Sequence, residues 1–181
     1  MQLKNQQGFT LMEALVSILV LSLGAMAMLG VQIATLAETQ NSVRRAQAVR
    51  IIEDLAERIK SNPGGFDRLN DYTNTAWEAV PSAPSSGCDT NSCTATQLAQ
   101  WDANQWFSQI PQLIPGGQAR TFLSADEAVG NRRQLGVMLA WPLQQRAVSA
   151  FGTPEKVTTG SGANAVACPD EHICHLLYIQ P

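Results

Sequence analysis

Residues 9–37 form a run of 29, mostly Leu, Val, Ile, Met and Ala, in which Glu13 is the one charge. At about 1.5 Å per residue a helix of that length reaches roughly 43 Å, more than the ~30 Å hydrocarbon core of a bilayer. A core helix in a soluble domain keeps a polar face over such a span, so the run reads as a membrane helix. A secretory signal is the rival, but its apolar stretch is about 7–15 residues long and ends at a small-residue cleavage site. This run is too long and passes into an amphipathic pattern with no turn signal. The polar leader, residues 1–8, carries Lys4 and the amino terminus, which holds it in the cytoplasm and sends the remainder across the membrane.

The rest of the composition narrows the function by exclusion. With 12 Lys+Arg against 15 Asp+Glu, a formal charge of −3 and no basic cluster, the chain has no electrostatic footprint for nucleic acid. Its 181 residues allow one ordinary domain beside the membrane segment. No phosphate-binding glycine motif, catalytic triad, pair of acid/base carboxylates or internal repeat is present, and the sequence calls for no cofactor.

Glu13 is the anomaly, because a carboxylate inside a bilayer helix costs a few kcal/mol on insertion scales. In the first turn the helix dipole stabilises a negative charge, which is one reason to keep it. A sharper reason is a cation on another chain, most economically an α-amino group created by cutting between Gly8 and Phe9. Gly8 is the last small residue before the apolar run.

The string GFTLMEALVSILVL after a short basic leader resembles the class III signal of type IV pilins and the related pseudopilins. The resemblance implies cleavage after Gly8 by a prepilin peptidase, N-methylation of Phe9, and a docking role for Glu13. A methylated amine remains a cation, so pairing with Glu13 of a neighbour neutralises two charges in an apolar filament core. The later segment RAQAVRIIEDLAERIKSNPGGF, with its LAERIKSNP, resembles the PilV family of minor pilins, the type IV pilus modification proteins; WFSQIPQLIPGGQA is similar to that family's helix, Pro-Gly-Gly turn and strand. That resemblance implies a non-catalytic subunit that primes pilus assembly near the tip. Its partners would be other minor pilins, the major pilin, the prepilin peptidase, the inner-membrane assembly machinery and a tip adhesin, with membrane lipid before assembly. A type II secretion pseudopilin shares signal, helix and fold. A membrane-anchored periplasmic enzyme or binding protein would instead keep its leader.

Beyond residue 37 the pattern becomes amphipathic, and 12 of the charged residues fall between Glu38 and Asp71. Val43, Ala48, Ile52, Leu55, Ala56 and Ile59 recur near helical spacing, and Asp54 with Arg58 forms an i,i+4 pair worth a few tenths of a kcal/mol. No proline interrupts residues 9–62, and Pro63-Gly64-Gly65 supplies the stop, which predicts one helix of about 54 residues. Gly24 and Gly30 weaken its apolar half or allow helices to approach closely. The expected organisation is a leader at 1–8, a membrane and assembly half-helix at 9–37, an amphipathic half-helix at 38–62 and a periplasmic body at 63–181.

The body is small enough to need covalent staples. Cys88, Cys93, Cys168 and Cys174 allow three pairings; spacing favours the two local ones, Cys88 with Cys93 and Cys168 with Cys174. Zinc ligation by Cys168, His172, Cys174 and His175 is the competing reading, but the steps do not match finger spacings and a strand would point His175 away from Cys174. A thiol nucleophile is disfavoured by the even cysteine count in an exported chain. Residues 82–87 read as a loop. A helix is predicted at 95–110 on Ala99, Ala103, Trp106, Phe107 and Ile110, and strands at 119–123, 134–141 and 174–179. Leu135, Val137, Leu139 and Trp141 share one strand face, Leu176 and Tyr178 another, and residues 158–165 read as an exposed loop. The fold class is α+β: a type IV pilin-like ladle, with a long N-terminal helix packed on a small antiparallel sheet.

Overall fold

A computed structural model describes residues 10–85, 87–124, 127–128, 133–143, 157–160 and 165–181. The apolar run and the amphipathic segment form one unbroken helix, α1 (Leu11–Ser61), because nothing between them removes an amide donor or relaxes the backbone. Its second half turns Ala48, Ile51, Ile52, Leu55 and Ile59 into the core. Val43, placed by sequence on the same stripe, is 52% exposed, and Ile51 takes a place on the buried face instead. Val43 lies between the buried Ala37 and Ala48 but is turned away from their shared face, so the step of five that joined it to Ala48 left the buried stripe.

Asn62 ends α1 and ties three segments together. Its backbone N–H closes the last turn on Arg58 and Ile59. Its side-chain Nδ2 donates to the Tyr72 hydroxyl (3.1 Å) and the Ala95 carbonyl (2.8 Å), while Oδ1 accepts from the Gly64 amide (3.2 Å). A Cβ at Gly65 would run into the Ile59 carbonyl, so the Pro-Gly-Gly turn folds back tightly against the helix end. A 3₁₀ helix, Phe66–Tyr72, follows and buries Leu69 and Tyr72; sequence reading did not foresee it.

Helix α2 (Ala95–Leu113) starts at Thr94, whose side chain and that of Gln97 make a reciprocal capping box. The helix was expected to end at residue 110, but it continues past Pro111. A proline in the last turn forfeits a single hydrogen bond there, and the Ile114 amide still reaches the Ile110 carbonyl at 2.9 Å. Trp106 and Phe107 are buried edge to face with centroids 4.9 Å apart. The Trp106 indole donates to the Ile51 carbonyl at 2.7 Å, so α2 is bonded directly to the backbone of α1.

Strands β1 (Gln118–Leu123), β2 (Leu135–Pro142) and β5 (His172–Ile179) form an antiparallel sheet in the order β1-β2-β5. Leu135, Val137, Leu139 and Trp141 face the helices, joined by Ile173, Leu177 and Ile179 of β5. The other face of β2 is buried too: Met138 and Ala140 are covered, and the Phe122 ring occupies the space that a side chain at Gly136 would need. Leu176 and Tyr178 do share a face, but it is this outer one. Thr158 and Thr159, expected in a loop, are strand β3 (Thr158–Thr159), paired with β4 (Val166–Ala167); residues 161–164 of that expected loop lie outside the described residues. The Thr159 hydroxyl meets the Tyr178 hydroxyl at 2.6 Å, tying this ribbon to the sheet.

Disulfides join Cys88 to Cys93 and Cys168 to Cys174, with Cα atoms 5.6 and 5.8 Å apart. Each small ring contributes roughly 2 kcal/mol in the chain-entropy picture. The first ends at the residue before the α2 cap, and the second clamps the turn into β5.

Asn62→Ala leaves the Tyr72 hydroxyl and the Ala95 carbonyl without their donor. It should lower stability by about 2 kcal/mol, read as a drop in the thermal midpoint of the detergent-solubilised full chain; an unchanged midpoint would show that the three-way junction is dispensable.

Candidate assembly face

The first turn of α1 is built on Thr10. Its hydroxyl accepts the Glu13 amide (3.4 Å), and its carbonyl accepts the amides of Glu13 (3.1 Å) and Ala14 (3.2 Å). Thr10 and Glu13 have the spacing of a capping box, yet the returning bond from the Glu13 carboxylate to the Thr10 amide is not made. The carboxylate therefore sits near the positive end of the helix with no cation beside it among the described residues. Gly8 and Phe9 lie outside the described residues, so the geometry fixes only the acid half of the expected pair.

Between Leu11 and Leu36 the helix is largely bare. Leu11 is 79% exposed, and Leu21, Met26, Met28 and Val31 are also open, as are the other large apolar residues up to Leu36, after which Ala37 is buried. This helix is long and apolar enough to cross a membrane, and none of its most apolar stretch is covered by the body. Its few hydroxyls are turned inward onto the backbone: Ser17 donates to the Glu13 carbonyl (2.7 Å), Ser22 to Leu19 (2.8 Å), Thr35 to Gln32 (2.9 Å) and Thr39 to Thr35 (2.8 Å). Such bonds leave no unsatisfied donor for lipid or for a neighbouring helix to accommodate. No atom comes within 4 Å of a Cβ built on Gly24 or Gly30, so both glycines offer shallow sites where another helix can come close.

The body end of α1 is held by charge as well as packing. Arg58 bonds Asp54 at 2.8 Å, the pair expected from spacing, and also reaches Asp102 of α2 at 3.7 Å. Burial holds the Asp102 carboxyl above its usual range, with Arg58 opposing the shift. Burial also pushes the Tyr72 hydroxyl up to about 12. Nearer the membrane segment, Arg44 donates to the Pro142 carbonyl at 3.4 Å. His175 faces the helix from β5; burial, with Arg45 adding to it, holds its imidazole below the ordinary value.

The four residues of the zinc alternative are not brought together. Cys168 and Cys174 share a disulfide, the His172 ring binds the Asp170 carbonyl at 2.7 Å, and His175 points to the opposite face of the sheet. No cluster of metal-ligating side chains occurs among the described residues. Asn62, Trp106 and Arg58 were the junction residues that sequence reading left unassigned or half-assigned. Only the Pro-Gly-Gly stop after Asn62 marked the place.

The type IV pilin Tt1218 family (Tt1218-like) matches residues 30–104, and the prokaryotic N-terminal methylation motif matches residues 3–29. The first match covers the body half of α1, the 3₁₀ helix and the start of α2; the second covers the leader and most of the bare half-helix. No curated protein and no solved structure matches the chain. The fold is type IV pilin-like, and the two matches are to a pilin domain and to the signal that precedes one.

His175 is held neutral, so its contribution to stability is complete above about pH 6.5 and is lost as pH falls through the lowered folded value. His175→Leu should therefore flatten the fall in thermal midpoint between pH 7.5 and 5 relative to the unsubstituted chain. Equal slopes for the two would exclude the helix–sheet seam as the acid-sensitive contact.

Proposed function

We propose that this chain is a minor pilin of a type IV pilus, of the kind termed type IV pilus modification protein: a non-catalytic subunit that primes filament assembly and sits at or near the tip. The observation that carries this reading is the Glu13 carboxylate, without a cation partner among the described residues, in the first turn of a bare apolar helix. It lies beside the expected Gly8–Phe9 cleavage junction, within the stretch that matches the methylation motif.

Before assembly α1 anchors the chain in the inner membrane with the body on the periplasmic side. A prepilin peptidase removes residues 1–8 and the new Phe9 amine is methylated. The cation at Phe9 then meets Glu13 of an adjacent subunit, other minor pilins and the major pilin being the neighbours. Neighbouring helices replace lipid around the exposed leucines and valines, so the half-helix leaves the membrane without exposing apolar surface to water. The back-bonded Ser17, Ser22, Thr35 and Thr39 allow the same surface to serve in lipid and in the filament. An adhesin carried at the tip is the outermost partner of this assembly.

Glu13→Ala or Glu13→Val leaves a buried ammonium unpaired, a loss of several kcal/mol, so incorporation into sheared filaments should fall by at least about tenfold while processing stays intact. Mass spectrometry of the N-terminal peptide from the sheared fraction reads cleavage, methylation and membership together. A peptide that still begins at Met1 would overturn the reading. Deletion that abolishes protein secretion and spares surface pili would move the chain to the pseudopilins.

A further inference from the structure

The two edges of the sheet are not equivalent. The Leu143 amide donates to the Glu171 carbonyl at 2.8 Å, which fixes the hydrogen-bonding phase of the β2–β5 ladder. Ile173, His175, Leu177 and Ile179 therefore turn their backbone groups toward β2, and His172, Cys174, Leu176 and Tyr178 turn theirs outward. The Ser124 amide on the Gln134 carbonyl (3.1 Å) sets the phase of β1 in the same way, so Thr121 points away from β2.

That outward position on β1 is taken. The Asn74 amide donates to the Thr121 carbonyl (3.1 Å), and the Thr121 amide donates to the Asn74 carbonyl (3.0 Å). The Thr121 hydroxyl also bonds the Tyr72 carbonyl at 2.7 Å, so the segment after the 3₁₀ helix is clamped along this edge. On β5 the disulfide sulfur of Cys168 lies 3.4 Å from the His172 carbonyl, but no backbone partner meets Leu176 or Tyr178 among the described residues. The eight residues of β5, HICHLLYI, contain no Lys, Glu, Asp or Pro, the residues that ordinarily protect an exposed edge.

We infer that the outer edge of β5, centred on Leu176–Tyr178, receives an extended, uncharged apolar strand from a different subunit, which adds to the sheet through backbone hydrogen bonds. This inference rests on the filament reading. Subunits related by a screw axis make heterologous contacts, so an edge on one copy must meet a different edge on the next. The second edge of this sheet is blocked at Thr121, so among the described residues the sheet of a screw-related copy offers no second open edge. The donor is therefore a different chain, and the contact orders the two subunits as a unique pair and cannot propagate. Apolar side chains suit the donor, because those flanking the edge are Leu176 and Tyr178 on one face and Leu177 and Ile179 on the other.

Hydrogen exchange with residue-level readout tests this on the full chain, first purified in detergent and then in the assembled fraction, taken both as sheared filaments and as the detergent-extracted complex of the tagged chain. In the purified chain the Leu176 and Tyr178 amides should exchange at least about tenfold faster than those of Leu177 and Ile179. In the assembled fraction that alternation should vanish, as the two fast amides become protected. Persistence of the alternation, uniform slowing of all four amides, or protection accompanied by homodimers would each overturn the inference. Leu176→Pro removes an outward donor and, with it, the part-buried leucine side chain beside Met138, so a modest fall in the thermal midpoint should accompany loss of the subunit pair. Tyr178→Lys, which places a charge beside the edge, should give the same loss if the proline variant proves unstable. Wild-type pairing by a folded variant would sink the proposal. An unprocessed terminal peptide defeats the filament reading separately and leaves the exchange pattern in the extracted complex to judge the edge.

Discussion

One continuous helix has to satisfy two solvents. In the proposed role its first half meets lipid and then other helices, while its second half meets a folded body, and no break separates them. The body can grip only the second half, so contacts such as Ile52, Leu55 and Ile59 against α2 and the sheet carry the whole connection between anchor and body. The Trp106 indole on the Ile51 carbonyl and the Arg58 bridge from Asp54 to Asp102 reinforce that grip with directional bonds. Arg58 is partly exposed, so its contribution is modest beside the buried apolar surface.

The same requirement explains the treatment of polar groups. In the bare half, hydroxyls are returned to the helix backbone and a single carboxylate has no cation partner among the described residues. In the body half, buried polar groups are used as ties: Asn62 joins α1, the 3₁₀ helix and α2, and Thr121 joins β1 to the segment that shields it. An unsatisfied group costs most where water is excluded, so Asn62 and Thr121 are placed where several partners converge. Glu13 departs from that pattern, and the proposed assembly role rests on that departure.

Much of this was legible in the residues. The length of α1 was predicted to within a few residues, because apolar content and the absence of proline are read directly from the chain. The strands at 119–123, 134–141 and 174–179 lie close to β1, β2 and β5 for the same reason, since period-two patterns with buried alternates are local. The 3₁₀ helix, the β3–β4 ribbon and the extension of α2 past Pro111 were missed. Each depends on a partner distant in sequence or on a terminal turn where local rules are weak. Asn62 stood in plain view beside the stop signal, but its bonds run to Tyr72 and Ala95, which no spacing rule connects to it.

The sequence by itself determined that a membrane-length helix leads the chain, that one acid lies in its first turn, and that the cysteines fall in two close pairs. Those properties follow from transfer free energies and short chain distances, which neighbouring residues set. Tertiary structure alone decided which stripe of α1 is covered, that both faces of β2 are buried, and that one sheet edge is closed by Asn74 while the other has no backbone partner among the described residues. These outcomes depend on strand register and on contacts tens of residues apart, where a shift of one position exchanges inside for outside and a bonded edge for an open one.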